Sequence, residues 1–99
     1  MTNEQAQTVF KQFGGRGKLK AMIGAKHFLR SETEHYASFK FSGSKKMNYL
    51  KITLEDDLYN LEFGKIRKLS YDVIESIEGV YAKDFQRIFT NTTRLYLTI

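Results

Sequence analysis

The sequence predicts an α+β domain, an antiparallel sheet of about four to five strands with an N-terminal and a C-terminal helix packed on one face. Three observations carry this reading. Ala6, Val9, Phe10 and Phe13 recur at helical spacing near the start of the chain. The middle alternates apolar and polar residues with the period of a strand, most cleanly in Tyr36–Phe41 and Tyr49–Leu54. A second helical stripe, Tyr81, Phe85, Ile88 and Phe89, follows the β-rich part. At 99 residues the chain is read as one domain, residues 1–99.

The elements can be justified in order. Thr2 to Phe13 reads as the first helix, with Thr2 and Gln5 at capping-box spacing. Gly14-Gly15 stops it, because glycine takes the left-handed cap conformation cheaply. Arg16 to Lys20 reads as a short basic connector. Ala21 to Leu29 reads as a strand in which Gly24 marks a bulge or a close backbone approach. In the next strand Ala37, Phe39 and Phe41 share one face, and Tyr36, Ser38 and Lys40 the other. Gly43-Ser44-Lys45-Lys46 is a turn. The chain then returns with Leu50, Ile52 and Leu54 inward and Tyr49, Lys51 and Thr53 outward, completing a hairpin. After the acidic turn Glu55-Asp56-Asp57 come a strand from Leu58 to Ile66, with Leu61 and Phe63 inward, and another from Leu69 to Ile77 carrying Tyr71 and Val73. Gly79 precedes the C-terminal helix, Asn91 to Arg94 ends it, and Leu95 to Ile99 reads as a short last strand. The expected core is Phe10, Phe39, Phe41, Leu50, Ile52, Leu61, Phe63, Phe85 and Phe89.

Charge is unevenly spread. Met1 to Lys51 holds ten Lys/Arg against three acids, whereas Ile52 to Ile99 holds six against eight. From Gln5 to Ser31 there are cations and no acid. Such a field attracts polyanions better than an even scatter of the same charge. The absence of cysteine excludes disulfides, Cys-based zinc sites and thiol nucleophiles. No apolar run approaches a membrane span, and the polar Met1–Gln5 lacks signal-peptide order, so a cytoplasmic protein is expected.

The hairpin is the best functional candidate. Tyr36, Lys40, Tyr49 and Lys51 face outward with Ser38 and Thr53, and Lys45 and Lys46 occupy the tip. Rings that stack on bases beside ammonium groups that hold phosphates would bind single strands. The same residue types also suit any solvated antiparallel face. Gly14-Gly15-Arg16-Gly17-Lys18 fails as a P-loop, since Leu19 follows the lysine and a helix precedes the segment instead of following it. Arg16, Lys18 and Lys20 remain candidates for phosphate contact, expected on one surface with the hairpin cations. Lys65, Arg67 and Lys68 form a further basic cluster. His27 and His35 lack partners at metal-ligand spacing, Asp56-Asp57 reads as a turn, and no nucleophile elbow or triad context exists. The expected protein is therefore not an enzyme, with no cofactor and no metal.

Gly14-Gly15, Ala21-Met22-Ile23-Gly24-Ala25-Lys26 with Phe28, Phe39-Lys40-Phe41, Asp57-Leu58-Tyr59, Glu62-Phe63-Gly64-Lys65-Ile66-Arg67, Val80-Tyr81-Ala82 and Thr92-Thr93 before Leu95-Tyr96-Leu97 form a set. From Gln12 onward the chain resembles a family of small uncharacterised bacteriophage and mobile-element proteins. The resemblance implies a phage-type origin and a bacterial host cytoplasm, and no activity or site. In that pattern a glycine stands where this chain has Arg94, so either Arg94 takes a left-handed cap conformation at some cost or the helix ends differently.

Two functions remain in view. One is a non-catalytic accessory protein that binds nucleic acid, single strands in preference, through Arg16, Lys18, Lys20, Tyr36, Lys40, Lys45, Lys46, Tyr49 and Lys51. The other is a protein–protein module that binds or inhibits a host or phage protein, since tyrosine and arginine also anchor such interfaces.

Overall fold

Thr2 and Gln5 form the expected capping box: each side chain accepts a hydrogen bond from the other residue's backbone N–H, at 3.1 and 2.9 Å. They start helix α1, Asn3–Gln12. The computed structural model describes residues 1–97. After α1 come helix α2 (Arg16–Ile23) and five strands, β1 (Lys26–Ser31), β2 (Tyr36–Lys40), β3 (Tyr49–Glu55), β4 (Leu58–Arg67) and β5 (Ser70–Val80). A 3-10 turn, Ala82–Asp84, then leads into helix α3, Phe85–Thr93. The strands lie side by side in chain order and every neighbouring pair is antiparallel, so the fold is α+β with an N-terminal and a C-terminal helix on a meander. Among the described residues no helix is long and apolar enough to cross a membrane.

The period-2 pattern sets the register. Ala37 faces Ile52, Phe39 faces Leu50, and Ile52 and Leu50 in turn face Leu61 and Phe63. These inward residues meet Val9, Phe10 and Phe13 at the N-terminus, Leu19 and Ile23 of α2, and Phe85 and Phe89 of α3. Every residue of the expected core is buried. Phe39 sits at the middle, with the rings of Phe10, Phe13, Phe28, Phe41 and Phe89 at 5.8–6.5 Å. Phe13 stacks on Phe85 at 4.7 Å. Residues Asp56 and Asp57 both take positive φ, 49° and 65°, which gives the two-residue turn the twist that a tight hairpin needs.

The structure corrects several expectations. Arg16 to Lys20 is not a connector, and Met22-Ile23 is not strand, because Leu19 and Ile23 at i, i+4 bury one side of α2. Gly24 is the left-handed cap of that helix, φ 62°, and the irregularity of β1 lies between Lys26 and Leu29. Leu69 lies in the turn and is fully exposed, while β5 runs on to Val80. Tyr81 is exposed ahead of the 3-10 turn and takes no part in the stripe of α3. In the tail, Leu95 to Leu97 form no strand, although Leu97 is buried; the rest of that expected strand, Thr98 and Ile99, lies outside the described residues.

Arg94 does take the left-handed conformation, φ 65° and ψ 16°, and caps α3 with its N–H on the Thr90 carbonyl. A Cβ in that region costs about 1–2 kcal/mol, partly offset by the greater backbone freedom that glycine loses on folding. Arg94→Gly is therefore expected to raise stability by about 0.5–1 kcal/mol, read as a higher urea midpoint. A lower midpoint would show that the arginine side chain contributes more than its backbone costs.

Candidate nucleic-acid interface

The helices cover one face of the sheet, and the opposite face is open. Residues that alternate with the core line up across it. One row runs Leu29, Ser38, Lys51, Glu62 and Ser76; the next runs Lys40, Tyr49, Gly64 and Val73; Tyr36 and Thr53 extend it on the other side. Tyr71, opposite Ile66, joins this face. The phenylalanines and Tyr59 pack into or against the covered core, while Tyr36, Tyr49 and Tyr71 stand on the open face.

The tyrosines are held in place. A Cβ at Gly64 would overlap the Tyr71 ring, so glycine there lets that ring lie across the sheet. Tyr71 Oη donates to Glu62 Oε2 at 2.7 Å, and the Tyr49 ring meets the Tyr71 ring edge to face at 5.4 Å. Lys51 Nζ sits 4.6 Å from the Tyr36 ring centre. Leu29, Tyr49, Lys51, Glu62, Ile66 and Tyr71 line an open cleft of about 420 Å³. Ser38 Oγ, in the same face, is buried without a hydrogen-bond partner.

Both phenols are pushed above their ordinary value of 10.0. For Tyr71 the causes are burial, then the hydrogen bond to Glu62 and that carboxylate's charge. For Tyr49 the main cause is burial, partly offset by the Ser38 hydroxyl, which would bond a phenolate although it makes no bond to the neutral phenol. The folded state thus holds these protons more tightly than the unfolded chain. Their contribution to stability is complete below about pH 10 and is lost as pH rises beyond it toward the folded values. The urea midpoint is expected to fall from about pH 10 upward. Glu62→Gln is expected to bring the Tyr71 titration, followed by tyrosinate absorbance, back toward 10.0. An unmoved titration would mean that Glu62 does not hold the phenol.

The meander also sorts charge lengthwise. The start of β1, the β2–β3 loop and the β4–β5 turn share one end of the sheet, which gathers Lys26, Lys40, Lys45, Lys46, Lys65, Arg67 and Lys68. The other end gathers Glu32, Glu34, Glu55, Asp56, Asp57 and Glu78. Asn48 ties the basic loop down: its Nδ2 donates to the Ile66 carbonyl at 3.0 Å, and its Oδ1 accepts from the Ile66 N–H at 2.8 Å. Buried Met47 anchors the same loop.

Of the residues singled out from the sequence, Tyr36, Lys40, Tyr49 and Lys51 share the open face, with Lys45 and Lys46 at its basic end. Arg16, Lys18 and Lys20 belong to α2 on the covered side. Arg16 lies 5.1 and 5.3 Å from the Phe10 and Phe28 rings, and Lys20 lies 5.9 Å from Phe28. The C-terminal end of α2 meets the β2–β3 loop, where the Ser42 N–H donates to the Ile23 carbonyl at 2.9 Å. Lys65, Arg67 and Lys68 lie at the same end of the sheet as Lys45 and Lys46. Tyr71 and Leu29 were not among the candidates, and Glu62 was weighed only with Asp56 and Asp57 as a metal-binding carboxylate; the structure brings Tyr71 to the open face by pairing it with Ile66.

No protein-family model matches this sequence, and no curated protein or solved structure is detectably similar to it. Function is therefore argued from the site's own chemistry.

Proposed function

We propose that this chain is a small, non-catalytic nucleic-acid-binding protein of phage type that takes single strands on the open face of its sheet, acting in the cytoplasm of a bacterial host. The observation that carries the reading is the uncovered face bearing Tyr36, Tyr49 and Tyr71 next to a sheet end rich in Lys and Arg. Each stacked base would supply about 1–3 kcal/mol, and each phosphate contact a salt-sensitive increment. In a duplex the bases are already stacked on one another and offer no free face to the tyrosine rings, so single strands are preferred over duplex. Fluorescence anisotropy with a labelled single-stranded oligonucleotide and its duplex form tests this. Tighter binding of the single strand that weakens with added salt is expected. No binding at low salt, where electrostatic attraction is strongest, sinks the proposal.

A second reading, a module that binds a host or phage protein, has its own support in β5. This edge strand runs from Ser70 to Val80 without proline or lysine, and Tyr71, Val73 and Ile74 are exposed on it, with Leu69 at its turn. An edge strand with exposed apolar residues can accept an added strand from a partner.

A further inference from the structure

We infer that the open cleft lined by Tyr49 and Tyr71 is the seat of a single unstacked nucleobase, an inference that rests on the nucleic-acid reading above and names the part of the ligand this cleft takes. Its apolar lining is one continuous surface, the two rings in edge-to-face contact at 5.4 Å with Leu29 and Ile66 beside them. Its polar groups are one donor and one acceptor placed side by side, since Lys51 and Glu62 are direct cross-strand partners. They do not neutralise each other. The ion pairs among the described residues are Arg30–Glu32 and Arg87–Asp84, while Lys51 is drawn over Tyr36 and Glu62 is held by the Tyr71 hydroxyl. The Lys51 ammonium and the Glu62 carboxylate oxygen that Tyr71 leaves free stand next to this aromatic surface, and they match the edge of a base, which presents hydrogen-bond donors and acceptors next to one another on a flat ring.

The charge pattern separates the base from its backbone. Glu62 repels a phosphate from the cleft, while Lys40 lies beside Tyr49 in β2 and Lys45, Lys46, Arg67 and Lys68 lie beyond it at the end of the sheet. The backbone then runs toward that end and the base turns in. Gly64 gives up a side chain in mid-strand and so makes room for the Tyr71 ring that lines the cleft.

The chain has six tyrosines and no tryptophan, so its own fluorescence reports on the site. The probes are a mixed-sequence single-stranded dodecamer, as DNA and as RNA, and an abasic dodecamer with the same backbone. The intact strands are expected to quench tyrosine emission and to bind at least tenfold more tightly than the abasic one. Gly64→Ala, which displaces the Tyr71 ring, and Tyr71→Leu, at an exposed position that leaves the core untouched, are each expected to remove most of that tenfold advantage while leaving binding of the abasic strand unchanged. Equal binding of intact and abasic strands by the wild-type protein overturns the base seat and leaves the nucleic-acid reading standing on its cations. Binding of neither strand at low salt overturns both.

Discussion

Phe39→Ala is expected to lower the stability of the domain by about 3–5 kcal/mol, the range for truncating a fully buried aromatic ring. Phe39 is the hub of the core. It is fully buried in the middle of the core, and the rings of α1, β1 and α3 all close on it. Neighbours from two helices and a strand restrain collapse into the space left behind, so the cavity persists and adds to the lost transfer energy. A domain of this size has about 5–15 kcal/mol in total, so the variant would sit near its folding threshold. Urea unfolding followed by circular dichroism measures the change. Leu69→Ser, at a fully exposed turn, serves as the control and should stay within about 0.5 kcal/mol. A loss at Phe39 no larger than that of the control would mean that the core is not built around this ring.

Lys45→Ala combined with Lys46→Ala is expected to flatten the salt dependence of single-strand binding. If each lysine meets one phosphate, the slope of log affinity against log salt changes by about 0.7 per contact, or about 1.4 for the pair. That corresponds to roughly 25-fold weaker binding at about 0.1 M salt, taking about 1 M as the reference at which the counterion term vanishes. Tyr49→Ala should act differently. It removes a stacking surface, so affinity falls by about 1–3 kcal/mol at every salt concentration with the slope unchanged. Anisotropy titrations across a salt series separate the two. A double lysine variant with the wild-type slope would show that the β2–β3 loop does not meet the backbone.

The strands and the core were legible in the sequence because the sheet has one covered face. Phe39 and Ile52 could point only one way once Lys40 and Lys51 had to point the other, and the period of two then fixed the register. Helix α2 was not legible. Its buried side amounts to Leu19 and Ile23, Gly17 interrupts its first turn, and Ala21-Met22-Ile23 is as good a strand as a helix over so short a run. It is held by tertiary packing, in which Arg16 covers Phe10 and Phe28. The hairpin part of the site was legible through Tyr36, Tyr49 and Lys51. Its other wall was not, because Tyr71 reaches the face only across the bulge that shifts β5 against β4 between Phe63 and Gly64.

The meander has a consequence for the route by which the chain folds. Every strand pairs with its neighbour in sequence, so each hairpin closes a short loop at small entropic cost. The two ends of the chain meet through the helices: Phe13 stacks on Phe85, and Gln86 Nε2 donates to the Gln12 carbonyl across 74 residues. Closing that long loop before the sheet exists gains little, whereas afterwards the sheet presents both helices with one shared surface. Side-chain deletions at Leu50 and Leu61 should therefore slow folding, and those at Phe13 and Phe85 should mainly speed unfolding. The helices would then act on the rate at which the finished domain comes apart, and the hairpins on the rate at which it forms; deletions at Phe13 that slow folding as much as those at Leu50 would reverse that order.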